Sequence, residues 1–196
     1  MLFRSRRDGT YAVDRHAGHM AERSVHAVDA LPDVLQVGLD VVFCGSAAGT
    51  HSAQARAYYA GPGNRFWPTL QAIGLLPSVL DARAYDDVLR YGIGLTDLAK
   101  RVSGADAALR PADYDVPLLR GKIERWTPRA LAFNGKRAAS LFLQRPVEYG
   151  LQPETIAETR IFALPSTSGA ARGFWSDKPW SDLAEWVRTP VKNRMS

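Results

Sequence analysis

The chain has 196 residues, 46% of them hydrophobic, a formal net charge of +5 and one cysteine. That length fits one α/β domain with a proper core and is too short for two of ordinary size. The lone Cys44 excludes an internal disulfide and any multi-cysteine zinc or iron–sulfur centre, and it points to a reducing, cytoplasmic setting. No apolar run is long enough to span a bilayer, no signal-type segment is expected near the start, and the basic balance suits a polyanionic partner.

Residues 1–30 read as a basic N-terminal arm, with Arg4, Arg6, Arg7, Arg15 and Arg23 scattered among polar residues. Two readings stay open for it: extra sequence-independent phosphate contacts, or a plain terminus. His16, His19 and His26 lack the carboxylate or thiolate spacing of a metal site. A folded domain is expected over 31–189 and a short tail over 190–196. Leu31–Leu35 leads into a first strand, Val41–Cys44, whose unbroken apolar run predicts burial on both faces. Gly45–Ser52 then reads as a loop of small residues, where backbone N–H groups can approach a ligand closely. A tyrosine pair, Tyr58 and Tyr59, and a Pro62-Gly63 turn follow.

Phe66, Leu70 and Ile73 fall about one turn apart and predict a helix over Arg65–Leu76, stopped by Gly74 and Pro77. Tyr85–Tyr91 reads as a second short helix, and Gly92–Asp97 as a short strand opening into a loop. Ser103–Pro117 is loop with helical pieces, and Leu118–Trp126 a helix with a charged outer face. Ala130–Phe133 is a buried strand running into Asn134-Gly135-Lys136, with a helix over Arg137–Leu143. The last strand lies within Thr155–Leu164. A second small-residue loop, Pro165–Arg172, precedes a final helix, Lys178–Arg188, with Trp180, Leu183 and Val187 inward. Strands alternating with helices predict a three-layer α/β/α sandwich around a short, mostly parallel four-stranded sheet.

Four strand ends then share one rim: Gly45–Ser52, Thr96–Asp97, Asn134–Lys136 and Ser166–Arg172. Gly45-Ser-Ala-Ala-Gly49 is neither G-x-G-x-x-G nor a P-loop, so a nucleotide cofactor has no support.

Tyr59-Ala-Gly-Pro-Gly-Asn-Arg-Phe-Trp67, Gly92-Ile-Gly-Leu-Thr-Asp97, Phe133-Asn-Gly-Lys136 and Leu164-Pro-Ser-Thr-Ser-Gly169 stand in one order along the chain. Over Leu31–Arg188 the sequence resembles the mismatch-specific uracil-DNA glycosylases, the branch of the uracil-DNA glycosylase superfamily that includes the thymine-DNA glycosylases. The first of these motifs is close to the family's F-A-x-P-x-N-R-F-W, and the last stands where the family has L-P-N-P-S-G or a near variant. The resemblance implies a monofunctional glycosylase of base excision repair that flips uracil out of DNA and hydrolyses its N-glycosidic bond. It implies no metal and no cofactor. The partners would be DNA containing uracil or a related damaged base, and free uracil as product, with no membrane and a monomeric protein.

The chemistry needs a tight pocket for the extruded base and stabilisation of the charge that grows on it. The resemblance assigns backbone amides around Gly45, Ser46 and Ala47 to the leaving base and the Tyr59 ring to stacking. A core tyrosine is the competing reading of Tyr59. Asn134 can pair with the N3–H and O4 edge of uracil, or simply cap the helix that follows it. Arg65, Lys136, Ser166, Ser168, Gly169 and Arg172 would grip the DNA. The family's bulky wedge residue is replaced by Ala170. The first motif departs most. The family's G-I-N-P-G carries an asparagine, aspartate in other branches, that positions or activates water, and here Ala47 stands in that place. His51 and Ser52 are the nearby groups expected to substitute. The alternative reading is a protein of the same fold that binds uracil or damaged DNA without cutting, or traps the sugar covalently through His51.

Overall fold

The computed structural model describes residues 28–169 and 175–190. Most of the arm expected over 1–30, the tail beyond residue 190, Ala170 and Arg172 lie outside that range. The end of the arm is held at Ala30, whose N–H donates to the Lys100 carbonyl at 2.7 Å.

Among the described residues one sheet of five strands runs in the order β2-β1-β3-β5-β4: β1 (Val41–Ala48), β2 (Ile93–Ser103), β3 (Ala130–Asn134), β4 (Gly150–Ile156) and β5 (Thr159–Leu164). The first four in that order are parallel to their neighbours, and β4 runs antiparallel to β5 at the edge. The expected fourth strand over Thr155–Leu164 is therefore a hairpin, turned at Ala157, whose φ is +49°. The extra strand carries Pro153 and buries only two of its residues, Gln152 and Ile156. Proline and partial burial suit an edge strand and weaken its sequence signal.

Side chains alternate across β1, and each set meets its own layer of helices. Val41 and Phe43 pack with Phe66, Trp67 and Leu70 of α2 (Phe66–Ala72) and with Trp180 and Leu183 of α5 (Lys178–Arg188). Phe43 meets Phe66 edge-on at 5.3 Å and stacks on Trp180 at 5.6 Å between centroids. Val42 and Cys44 face Leu119 and Ile123 of α3 (Val116–Trp126) and Ala138, Ala139 and Phe142 of α4 (Lys136–Leu143). The expected three layers are present.

Two boundaries differ in a way that matters for the site. β1 does not end at Gly45 but runs to Ala48, and β2 does not open at Thr96 but runs to Ser103. Each strand continues because the other does, with Gly45 opposite Asp97 and Ala47 opposite Ala99. The segment expected as a short helix over Tyr85–Tyr91 is 3-10 in character and spans Ala82–Tyr91, broken by non-helical geometry at Ala84.

Candidate active site

The chain leaves β1 for β2 on one side of the sheet and later reaches β3 on the other, so the strand order reverses between β1 and β3. Open α/β sheets form their ligand crevice at such a point, beyond the carboxyl ends of the strands. Pairing of β1 with β3 stops at Cys44 opposite Phe133, while β1 continues for four residues. On that side the backbone of Gly45–Ala48 is left without a strand neighbour and borders a cleft of about 710 Å³. Gly45–Ser52, Tyr58, Tyr59, Asp97, Asn134 and Ser166–Gly169 line it. The volume falls in the range of small-molecule sites.

Gly45 is required by what stands over it. A Cβ added there would lie 2.5 Å from Asp97 Oδ1 and 3.7 Å from the Tyr59 hydroxyl. Asp97 is 5% exposed. Burial pushes its carboxyl up, Lys100 pulls it down, Asp33 raises it again, and Lys122 and the Tyr58 hydroxyl lower it, leaving it near a pKa of about 6. Lys100, itself buried, is held elsewhere: its ammonium pairs with Asp33 at 2.8 Å and donates to the Tyr58 hydroxyl at 3.0 Å. Burial raises Asp33, but Lys100 and hydrogen bonds from Lys100, Lys122 and Thr96 outweigh it and hold the carboxyl below its ordinary range.

The Tyr59 ring stacks on Phe66 with centroids 3.7 Å apart and planes 23° from parallel. Its backbone is left-handed, φ +56°, an unusual state for a tyrosine that its neighbours must enforce. The hydroxyl is buried without a hydrogen-bond partner of ordinary geometry among the described residues, although the Asn134 amide is close enough to oppose the upward push of burial and Asp97 on its pKa. Asn134 is 8% exposed and largely engaged: its Oδ1 accepts the Thr167 N–H at 2.9 Å and its Nδ2 donates to the Thr167 hydroxyl at 2.8 Å. One N–H and one lone pair remain for another partner. The helix-cap reading of Asn134 is not what is seen, since α4 is capped at Gly135 with no side-chain bond.

The loop after β5 is fixed from several directions. Thr167 is held by Asn134, the Arg65 N–H donates to the Thr167 carbonyl at 3.0 Å, and the Trp180 indole N–H donates to the Pro165 carbonyl at 3.0 Å. Gly169 packs on the Pro62-Gly63 turn, where a Cβ would sit 3.3 Å from the Pro62 carbonyl oxygen. Ser166 Oγ accepts the Ser168 N–H at 3.3 Å. The motif around Tyr59 and the loop around Ser168 thus form one wall.

Other expected site residues are occupied differently. Ser52 is buried with its Oγ accepting the Ala60 N–H at 3.1 Å, which ties α1 (Thr50–Ala55) to the tyrosine pair. His51 is exposed on α1 at the cleft's border. Ser46 and the half-buried Ala47 belong to β1 rather than to a loop. The Arg65 guanidinium lies 4.0 Å over the Trp175 ring, and Lys136 pairs with Glu148 at 2.9 Å beside the Tyr149 ring. Asp97 and Thr167 are the site residues that sequence reasoning did not single out. The signal for Asp97 was a carboxylate at a strand end on the right rim. Thr167 lay within the expected rim loop Ser166–Arg172, but nothing local marked its clamp on Asn134.

Among the described residues no three His, Cys, Asp or Glu side chains gather as a metal site, and no helix is long and apolar enough to cross a membrane. The family model of the uracil DNA glycosylase superfamily matches residues 32–186. The fold is also similar to the solution NMR structure of a candidate uracil DNA glycosylase from Methanosarcina acetivorans, with a TM-score of 0.57 and 20% identity. That match covers 83% of this chain and 99% of the other.

Proposed function

The chain belongs to the uracil DNA glycosylase superfamily, and from that premise we propose that it excises uracil from DNA, as a monofunctional glycosylase of the mismatch-specific branch, leaving an abasic site for base excision repair. The observation that carries the reading is the cleft at the β1–β3 reversal, which gathers an aromatic ring, a buried amide and a small-residue backbone. A base is reached by such a pocket only after it leaves the duplex.

In this reading the face of Tyr59 turned away from Phe66 takes the uracil ring, and the remaining N–H and lone pair of Asn134 read its edge. Thr167 holds that amide in one orientation, so recognition does not require ordering it anew. Backbone groups of Gly45–Ala47 stabilise the departing base. The C1′–N1 bond breaks with its electron pair leaving on the base. Water then bonds to C1′, and one of its protons ends on the uracil. Ser166, Ser168 and Gly169 meet the flipped nucleotide, with Arg65, Lys136 and Arg172 on the phosphates, and His51 or Ser52 adds polarity near the water.

A second reading has one observation behind it: the place of the water-activating residue holds Ala47, a methyl group. It makes the protein a uracil or damaged-DNA binder that does not cut, or that traps the sugar on His51. A time course on uracil-containing single- and double-stranded oligonucleotides, followed by alkali, separates the two. Cleavage supports the glycosylase. A gel shift with no strand breakage at enzyme excess, or an adduct stable to denaturation, supports the second.

A further inference from the structure

We propose that Asp97 is the acid–base residue of this cleft, its ionised carboxylate accepting the proton of the water that attacks C1′ in place of the side chain missing at Ala47. The inference rests on the glycosylase reading and deepens it. In a parallel pair, register partners point to the same face of the sheet, and residues two apart share that face. Gly45 and Asp97 are partners, so Asp97 emerges on the same face as a side chain at position 47 would. The absence of any side chain at Gly45 lets the carboxylate lie over that strand, with Oδ1 2.5 Å from where a Cβ would stand. The Tyr59 hydroxyl reaches within 3.7 Å of the same point. The carboxylate therefore shares the cleft floor with the ring proposed to hold the base.

A structural ion pair does not explain the residue. Lys100, the nearest buried cation, is committed to Asp33 and Tyr58. Among the described residues no salt bridge involves Asp97, and the Tyr58 hydroxyl is its hydrogen-bonding neighbour. A buried carboxylate outside any direct ion pair, felt by Lys100 and Lys122 only through their field, costs stability, and such groups concentrate where chemistry needs them. The charged and titratable groups facing it come from every element around it. They are Lys100 on β2, Asp33 ahead of β1, Lys122 on α3, Tyr58 and Tyr59 after α1, and Cys44 on β1. With the carboxyl titrating near 6, the base is ionised at neutral pH and lost below it.

The step balances without a co-reactant. The C1′–N1 bond breaks and its pair leaves with uracil. The water oxygen bonds to C1′, its proton passes to an Asp97 oxygen, and Asp97 returns that proton to the uracil anion or to solvent.

The test is single-turnover uracil release by wild type and Asp97→Asn between pH 5 and 8, with oligonucleotide affinity measured in parallel. The wild-type rate is expected to rise about tenfold per pH unit up to about 6 and then level. Asp97→Asn, the same shape without the charge, is expected to lose about 10²–10⁴-fold in rate, to lose that limb, and to keep its affinity. A flat wild-type profile overturns the inference even where the variant does not fold, as does an Asp97→Asn rate equal to wild type. Wild-type release with either of those results removes this inference alone, whereas no release by wild type removes the glycosylase reading with it.

Discussion

Gly45→Ala puts a methyl carbon 2.5 Å from Asp97 Oδ1, where ordinary contact begins at 3.4 Å. The carboxylate would have to retreat by about 0.9 Å, the difference between those two distances. It has little room to do so. Its stem belongs to β2, whose backbone is registered against Gly45 itself, and the Tyr59 hydroxyl stands 3.7 Å from the same added carbon. Overpacking of this kind typically costs about 1–3 kcal/mol. For a domain of this size each kcal/mol lowers the melting temperature by about 2–4 °C. A catalytic group misplaced by roughly 1 Å loses about 10²-fold in rate. Gly45→Ala is therefore expected to melt several degrees lower and to release uracil about a hundredfold more slowly. Thermal melts and the alkali-cleavage time course measure both. Gly121→Ala, on the exposed face of α3 with nothing near its added carbon, is the control, expected to stabilise by about 0.5–1 kcal/mol. A Gly45→Ala protein with wild-type melting and wild-type rate would refute the reasoning, because the carboxylate would then not be where the clash requires it.

Asp97→Asn should melt above wild type at pH 8 but not at pH 4. The folded carboxyl keeps its proton to about pH 6 against an ordinary 3.8, so wild-type stability falls as pH rises through that window, by about 3 kcal/mol in all; thermal melts at the two pH values check it. Thr167→Val removes the acceptor of the buried Asn134 N–H, which should cost about 1–3 kcal/mol and loosen discrimination of uracil from cytosine; melts and competition binding read the two effects. Lys136→Ala should lower the slope of log affinity against log salt by about one if its ammonium leaves Glu148 for a phosphate, and an unchanged slope assigns Lys136 to its ion pair.

Much of the frame was legible from the chain. The apolar runs Val41–Cys44 and Ala130–Phe133 are buried strands at the middle of the sheet, and Lys178–Arg188 is a helix with the expected bounds. Those segments carry their own evidence, because burial on both faces demands continuous apolar sequence and a helix face demands its period. The edge strand β4 was missed for the opposite reason. One ladder and partial cover ask little of its residues, so Gly150–Ile156 looks like loop.

The site divides along the same line. Tyr59–Trp67 announces the family locally, since stacking rings and a tight turn need particular residue types at fixed spacing. The sequence also determines that Ala47 can neither hold nor activate water, because a methyl group has no donor or acceptor. Tertiary structure alone decided that β1 runs on through Gly45, that Thr167 clamps Asn134, and that a carboxylate stands over the missing side chain of Gly45. The charge of Asp97 is set by its own burial together with Asp33, Lys100 and Lys122, which lie on three separate segments. No local pattern encodes such a field, because it exists only once distant segments exclude water from the same space.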